Sequence, residues 1–472
     1  MTLRTRTCAA VLVAALALAG AAAPSASAAP SRLWDDFNGD GYRDLAIGTP
    51  GEGGGTVTVL FGSASGVAPS RSVNITQNTA GVPGTAEPED RFGANVTSGD
   101  VDGDGYADLI VGAPGERVAG KPDGSVTVVW GGAHPFTSGA TVLDAPTADA
   151  TAFGTGVAFA DLDGDGMGQL AVVGDHSFFY YGEGKPGLGG RALPPDVDFL
   201  PAGVRLTGVA AGLFSDSGVH DYVLYGTRTD GGGTYLGLLG GGSGDIGYSY
   251  SVLADGGGEA GTGDPSVATG DLNGDGYDDL VTGDTRAGRG GAVTVRYGRA
   301  AGLATKATTY TQDSPGVPGA DETGDDFGAS VAVGDATGDG YADIAVGAPQ
   351  EDVDGHQDVG DIVLLKGGRS GVTTTGAQAF HQATPGVPGA AEDGDRFGSA
   401  VRLRDINRNG RADLAIGASG EDVAGGGRDD GAAWVLRGTA TGLTASYATA
   451  FSAPAFHYPV VAGSGFADVL AR

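Results

Sequence analysis

A nine-residue acidic loop recurs along this chain and constrains its fold more than any other feature. Four copies are nearly complete: DFNGDGYRD at 36–44, DVDGDGYAD at 100–108, DLNGDGYDD at 271–279 and DATGDGYAD at 335–343. Side-chain oxygens stand at loop positions 1, 3, 5 and 9, and glycine stands at position 6. Alternate side chains point inward, the glycine permits a sharp turn, and the carbonyl of position 7 can add a ligand. The pattern predicts a loop around one hard cation, and Ca²⁺ fits best because it accepts about six to eight oxygens.

Three further loops are degenerate copies of the same pattern. The third has Gln169 at position 9, and the seventh has Asn407 and Asn409 at positions 3 and 5, so we expect weaker binding there. The fourth has Leu213 at position 1 and serines at positions 3 and 5, and no metal is expected in it. We therefore expect about four to six structural Ca²⁺ ions. The predicted metal-binding residues are Asp36, Asn38, Asp40, Tyr42, Asp44, Asp100, Asp102, Asp104, Tyr106, Asp108, Asp161, Asp163, Asp165, Met167, Asp271, Asn273, Asp275, Tyr277, Asp279, Asp335, Thr337, Asp339, Tyr341, Asp343, Asp405, Asn407, Asn409, Arg411 and Asp413.

The loops divide the chain into seven units that begin near residues 36, 100, 161, 213, 271, 335 and 405. In each unit the sequence predicts four short strands: one before the loop, one after it that ends in glycine, a third after a variable turn, and a less regular fourth. An isolated four-stranded unit cannot bury both faces, whereas seven units arranged radially can. A solenoid is the rival architecture, but its repeats are usually shorter. We predict an all-β, seven-bladed β-propeller of four-stranded blades.

The two ends of the chain predict how this ring closes. Little sequence precedes the first loop, so the first blade lacks room for its innermost strand. Residues 466–471 resemble the missing strand, with Ala467 in place of the glycine that follows phenylalanine in other units. We expect this segment to complete the first blade. The alternative is that Ser464 to Asp468 is the remnant of an eighth loop.

The composition and the amino-terminal segment indicate where the protein is located and which partners are disfavoured. Residues 1–28 have the pattern of a secretory signal peptide cleaved near Ala28, which leaves a propeller over residues 29–472. The only cysteine, Cys8, lies in that segment, so the remaining chain has no disulfide. The formal net charge of −31 disfavours nucleic acid and anionic membranes as partners. No later segment is apolar enough to span a membrane, and we expect a secreted, extracellular monomer.

The order Phe-Gly, acidic loop, Leu-x-x-Gly-Ala-Pro resembles the FG-GAP repeat. The Phe-Gly pairs at Phe92, Phe153, Phe327 and Phe397 each precede a loop by eight residues, and Gly-Ala-Pro follows at 112–114 and 347–349. The chain is therefore similar to the seven-bladed propeller at the amino end of integrin α subunits and to secreted bacterial FG-GAP proteins. That resemblance implies Ca²⁺ in the loops on one face and ligand binding on the opposite face.

On this basis we expect a binding or adhesion module for an extracellular protein, a cell surface or a glycan. The variable turns after each second strand would form the binding face. The richest of these turns are 112–124 with Glu116, Arg117 and Lys121, 347–360 with Asp352, Asp354 and His356, and 417–431 with Asp422 and Arg428.

Other interpretations of the loops and of the function are weaker. An EF-hand would need glutamate at loop position 12, where this chain has apolar residues or threonine. An extracellular hydrolase is the alternative function, because FG-GAP repeats also accompany a phospholipase D specific for glycolipid anchors. The chain shows no nucleophile elbow, zinc-protease or phosphate-loop motif, so no catalytic residue is predicted. Glutamates 116, 351 and 421 recur at the same place in their units, after the second strand. Glutamates 87, 322 and 392 recur five residues before the Phe-Gly pair. Such recurrence favours a structural role.

Overall fold

The computed structural model describes residues 33–118, 120, 123–146, 150–182, 200–229, 233–241, 249–255, 264–423, 429–456 and 465–471. The predicted signal peptide lies outside the described residues, as do Lys121 and Arg428 of the variable turns. Within the described ranges, no helix is long and apolar enough to cross a membrane.

Short strands make up almost all regular structure in the described chain. In order they are β1 (Leu45–Thr49), β2 (Thr56–Leu60), β3 (Ser72–Ile75), β4 (Asn95–Gly99), β5 (Asp108–Ala113), β6 (Ser125–Val129), β7 (Ala140–Asp144), β8 (Gly156–Ala160), β9 (Gln169–Gly174), β10 (Ser177–Tyr181), β11 (Val204–Gly212), β12 (Asp221–Arg228), β13 (Thr234–Gly240), β14 (Ser249–Asp255), β15 (Ser266–Gly270), β16 (Asp279–Asp284), β17 (Ala292–Arg296), β18 (Thr308–Tyr310), β19 (Ser330–Gly334), β20 (Asp343–Ala348), β21 (Asp361–Lys366), β22 (Thr373–Phe380), β23 (Phe397–Arg404), β24 (Asp413–Ala418), β25 (Ala432–Thr439), β26 (Gly442–Ser452) and β27 (Val469–Leu470). Short 3₁₀ turns occur at Glu52–Gly54, Pro69–Arg71 and Ala453–Phe456.

These strands form seven antiparallel sheets, each of which is one blade. Blade 1 has the order β27-β1-β2-β3, and blades 2 and 4 to 7 each take four consecutive strands. The described part of blade 3 contains β8, β9 and β10, and the segment after β10 lies outside the described residues. The innermost strands β4, β8, β11, β15, β19, β23 and β27 lie side by side, and β27 contacts both β23 and β4. The predicted seven-bladed β-propeller is confirmed.

The carboxy-terminal segment closes the ring as expected. β27 pairs with β1, with Leu470 opposite Ile47. Phe466 is fully buried, and its N–H donates to the Asp430 carbonyl at 2.9 Å, just as the Phe153 N–H donates to Asp123 at 2.9 Å. The segment therefore belongs to blade 1, with only residues 469–470 in strand conformation.

Apolar side chains fill the space between neighbouring blades. Seven buried clusters are present in the described chain, one at each interface between adjacent blades around the ring. For example, the rings of Phe397 and Trp434 of blade 7 meet edge to face with centroids 5.2 Å apart, in a cluster that also contains Ile362 and Leu364 of blade 6. Within the described residues each cluster draws on two blades, so each blade depends on its neighbours for burial.

Candidate metal loops and the opposite face

The acidic loops lie together on one face of the ring, because each one leads into the second strand of its blade. Neighbouring loops are joined through their main chains. The N–H at position 8 of one loop donates to the carbonyl at position 1 of the loop before it, at 3.2 Å for Ala107 to Asp36 and 2.7 Å for Ala412 to Asp335. The side chain at position 7 also contacts the loop before it. The Tyr106 ring packs on Gly39 so closely that a side chain at Gly39 would collide with it. In the described chain this main-chain bond occurs at five of the seven junctions between neighbouring loops.

The carboxylate at position 1 organises the turn of each loop. It accepts a hydrogen bond from the glycine N–H at position 6, which follows it by five residues. The distances are 2.7 Å to Asp36, 2.9 Å to Asp100, 3.0 Å to Asp161, 2.8 Å to Asp271, 2.8 Å to Asp335 and 2.8 Å to Asp405. All six loops that have aspartate at position 1 share this turn.

Positions 1, 3 and 5 converge most clearly in the second and third loops. Oxygens of Asp100, Asp102 and Asp104 lie within 4.8 Å of one another, and so do those of Asp161, Asp163 and Asp165. Burial raises the pKa of Asp100, and the neighbouring carboxylates of Asp104 and Asp102 raise it further. One oxygen of Asp100, Oδ1, is buried without a hydrogen-bond partner. A hard cation fits this group, because it would supply the missing partner and offset the repulsion among the carboxylates.

The carboxylate at position 9 serves the fold in a way that sequence reasoning missed. Asp44 is buried, and it accepts hydrogen bonds from the N–H groups of Phe37 at 2.9 Å and Gly62 at 2.8 Å. It thus ties the loop to the end of the third strand. Burial raises the pKa of Asp44 to about 8, although the two hydrogen bonds lower it. The same glycine contact recurs at Asp108, Asp279, Asp343 and Asp413.

The two most degenerate loops separate the roles of these positions. The fourth loop lacks carboxylates at positions 1, 3 and 5 but keeps Asp221 at position 9, where it accepts from the Gly241 N–H at 2.8 Å. The third loop keeps the three carboxylates and has Gln169 at position 9, which accepts from the Leu162 N–H at 2.6 Å. Position 9 therefore retains its bond to the main chain whether or not the other oxygens are present.

The variable turns lie on the opposite face, and that of blade 6 is the best defined. Val353 and His356 form a small bridge that exposes Asp354 at its tip. The Nδ1 atom of His356 lies 2.9 Å from Oδ1 of Asp393, which belongs to the connection between blades 6 and 7. The main chain of the turn bonds to the same carboxylate, because the Gln357 N–H donates to it at 3.1 Å. This turn is therefore an exposed surface that both a side chain and the main chain bond to Asp393.

The structure also brings together two sets of glutamates that sequence reasoning had left as separate template positions. In each of three groups, a glutamate that precedes a Phe-Gly pair lies near the glutamate that follows the second strand of the same blade. A glutamine donates a hydrogen bond to this second glutamate. The three groups are Gln77 with Glu87, Asp90 and Glu116; Gln312 with Glu322, Asp325 and Glu351; and Gln382 with Glu392, Asp395 and Glu421. We call them the glutamine–carboxylate clusters. The constant spacing of 39 residues from glutamine to glutamate was the available signal.

Comparison with known proteins agrees with this architecture. The family model "FG-GAP repeat" matches residues 33–60, 92–129, 265–295, 327–365 and 397–436. The chain is an FG-GAP repeat β-propeller of the integrin-α-like kind. It is 40% identical to integrin alpha-PS5 of Drosophila melanogaster over 83 residues, which is 17% of this chain and 8% of the relative.

Two other relatives extend the similarity to more of the chain. Integrin alpha-V of Gallus gallus is 32% identical over 189 residues, which is 38% of this chain and 16% of that protein. The phosphatidylinositol-glycan-specific phospholipase D of Rattus norvegicus is 32% identical over 145 residues, which is 29% of this chain and 17% of that protein. The matched parts thus span less than a fifth of each relative's own length.

Proposed function

We propose that this protein is a secreted, calcium-stabilised propeller that binds an extracellular protein, a cell surface or a glycan. The similarity to integrin α chains supports a role in binding. The division of the ring into two unlike faces supports it further. Repeated acidic loops occupy one face, and turns of differing length and sequence occupy the other. Partner recognition is served by a surface that varies, and stabilisation by one that repeats.

The acidic loops suit a structural Ca²⁺ ion. Bound Ca²⁺ would supply positive charge among the carboxylates of positions 1, 3 and 5. Asp100, Asp102 and Asp104 would provide oxygen ligands, and their loop is already bonded to the loop before it. A cation that binds only the folded ring stabilises it by about 1.4 to 2.7 kcal/mol per site at roughly ten to a hundred times its dissociation constant. Several such sites would act together on one ring.

The observation that carries the binding proposal is the exposed, pre-ordered turn of blade 6. Asp354 and His356 are exposed, and contacts to Asp393 and Asp352 hold the surrounding main chain. A surface that is already ordered loses little conformational entropy when a partner binds. The turn also projects beside the connection to blade 7, so a partner would contact two blades at once.

Glycan and extracellular-protein arrays test this proposal with the labelled protein in millimolar Ca²⁺. For a partner so identified, the double substitution Asp354→Asn and His356→Ala should weaken binding about tenfold or more, which corresponds to about 1.4 kcal/mol. Arg369→Ala is the matched control, because Arg369 is exposed in the β21–β22 connection of the same blade, on the face of the acidic loops. Binding that survives the double substitution and is lost with Arg369→Ala would place the partner on the wrong face for this proposal.

A hydrolase is the second candidate, favoured by the similarity to phosphatidylinositol-glycan-specific phospholipase D. The contacts of three of the described histidines are structural in character. His176 and His220 bond to the backbone carbonyls of Val204 and Asp161, and His356 pairs with an exposed aspartate. An esterase and phosphodiesterase panel decides the matter: turnover that a point substitution in a variable turn abolishes would favour the enzyme.

A further inference from the structure

The glutamine–carboxylate clusters are a second set of oxygen-rich groups, separate from the acidic loops. Each one lies where the connection from one blade meets the turn after the second strand of the next blade. It is therefore on the opposite face from the acidic loops. Clusters of the same construction occur at the interfaces of blades 1 and 2, 5 and 6, and 6 and 7.

The construction is the same in all three clusters. The aspartate accepts the N–H of the glutamate three residues before it, at 2.6 Å for Asp90, 2.7 Å for Asp325 and 2.7 Å for Asp395. The amide nitrogen of the glutamine donates to the second glutamate, at 2.6 Å in the clusters of Glu351 and Glu421. Gln77 makes the same contact with Glu116. These bonds place the acids of the connection beside the glutamate of the next blade's turn, and in the first cluster the three carboxylates converge within 4.8 Å.

The first cluster shows the deficit of hydrogen-bond partners most directly. One oxygen each from Glu87, Asp90 and Glu116 lie within 4.8 Å of one another. Asp90 is only 1% exposed, and its Oδ1 atom is buried without a hydrogen-bond partner. The Oε1 atom of Gln77, which is 3% exposed, also lacks a partner. Buried oxygens without partners are costly, and here one belongs to a carboxylate of the cluster and the other to the glutamine that bonds to Glu116.

The other clusters repeat this deficit. The Oε1 atoms of Gln312 and Gln382 are buried without partners, as is that of Gln77 at the equivalent position. Near Glu351, the carboxylate of Asp361 adds another buried oxygen, Oδ1, that has no partner. Burial raises the pKa of Glu351 to about 7, and Asp325 and Glu322 contribute to that rise. Carboxylate and amide oxygens are the ligands that hard divalent cations prefer.

We propose that each glutamine–carboxylate cluster binds one hard divalent cation, with Ca²⁺ as the best-fitting ion, at the interface between two blades. The unpartnered amide and carboxylate oxygens would coordinate the ion, and its positive charge would offset the repulsion among the acids. Because its ligands come from adjacent blades, it would join them on the face where the acidic loops do not reach.

Counting bound Ca²⁺ by native mass spectrometry and equilibrium dialysis tests the proposal on the full chain. The triple variant Glu116→Gln, Glu351→Gln and Glu421→Gln keeps an oxygen that can accept from the partner glutamine and removes the charge. It should bind one ion fewer for each cluster changed. Asp104→Ala, in the acidic loop of unit 2, should lose an ion of its own and leave the clusters loaded. An unchanged count in the triple variant would overturn the proposal, whatever the result for Asp104→Ala.

Thermal melting in EDTA separates a binding role from a purely structural one. Without cations, the triple variant should melt at or above the wild type, because the substitutions relieve repulsion among acids. With Ca²⁺, it should gain less in melting temperature than the wild type does. If the clusters merely share a proton to serve the fold, the triple variant melts below the wild type in EDTA, and the proposal is wrong.

Discussion

At position 9 of the acidic loops, one carboxylate joins two separate segments of its blade through backbone hydrogen bonds. This arrangement explains why Asp221 persists in the fourth loop, where the other acids are absent. The sequence pattern assigned position 9 only to the metal, because spacing along the chain cannot show that Gly62 or Gly241 returns to it from the third strand. The remaining positions follow the predicted pattern more simply, since they interact within the loop itself.

Asp221→Asn should make the stability of the protein less dependent on pH. Burial raises the pKa of Asp221 above its usual 3.8, although the Gly241 hydrogen bond and His220 lower it. The folded state therefore binds more protons than the unfolded state above about pH 4, and stability is lost as pH rises through the folded pKa. Asparagine keeps the acceptor for Gly241 and cannot ionise.

Urea unfolding at about pH 4 and pH 7 measures this effect. The free energy of unfolding of Asp221→Asn relative to the wild type should be higher at pH 7 than at pH 4. Asp144→Asn, at an exposed position, is the control and should show no such difference. A constant difference between Asp221→Asn and the wild type at both pH values would contradict the prediction.

The loop of unit 2 allows a matched test of cation binding by single residues. Asp104→Ala removes a convergent carboxylate at position 5, and it should abolish about 1.4 to 2.7 kcal/mol of Ca²⁺-dependent stability. Asp102→Asn is the control, because asparagine already stands at position 3 of the first and fifth loops. Unfolding in Ca²⁺ and in EDTA gives the comparison, and equal Ca²⁺ dependence in the two variants would refute the assignment.

At the scale of elements, the closing segment shows how a local sequence change fits a repeated geometry. The glycine after phenylalanine has φ of 93° at Gly93 and 96° at Gly328, whereas Ala467 takes φ of 66°. The residue before phenylalanine is also left-handed, and there the closing segment has Gly465. The carbonyl of Ala467 packs on Gly417 where a side chain would collide with it. The segment thus keeps the contact with the preceding blade despite its alanine.

Phe466→Ala should destabilise the whole ring. Its side chain is fully buried between blades 7 and 1 and stacks on Phe456 with centroids 5.5 Å apart. Truncation of a buried phenylalanine costs about 3 to 5 kcal/mol. Urea unfolding provides the measurement, and Ala467→Gly is the control, since glycine suits a positive φ and should change stability by less than about 1 kcal/mol. A Phe466→Ala variant as stable as the wild type would show that the ring closes by other contacts.

The elements show which features a sequence can predict. Loop spacing and Phe-Gly gave the number of blades and the closing segment, because both depend on local patterns that repeat. The extent of strands was less predictable: Phe92 precedes β4 by three residues, whereas Phe397 begins β23. The glutamine–carboxylate clusters were missed, because their members come from adjacent blades and meet only when those blades pack. Because Glu116 and Glu87 recur in several units, the sequence suggested a structural role for each of them. Only the packing of adjacent blades places them in one cluster.

At the scale of the whole molecule, stability is shared around the ring. Each apolar cluster belongs to two blades, and the acidic loops are bonded to their neighbours through main-chain groups such as Ala342 N–H to the Asp271 carbonyl at 2.9 Å. A change in the stability of one loop therefore affects the stability of the neighbouring blade. Cation binding at several loops should act on one cooperative transition and not on separate blades.

Removal of Ca²⁺ should lower the melting temperature of the entire ring in a single transition. Each occupied loop contributes about 1.4 to 2.7 kcal/mol at ten to a hundred times its dissociation constant, and the contributions of several loops accumulate because the blades melt together. Calorimetry with excess Ca²⁺, with EDTA, and with EDTA followed by excess Ca²⁺ measures the effect and its reversal. Two resolved transitions in EDTA would show that the blades uncouple, and an unchanged midpoint would show that the acidic loops hold no stabilising cation. The expected result is one transition that shifts downward and is restored by Ca²⁺, because the loops expected to bind the ion are also bonded to loops of neighbouring blades.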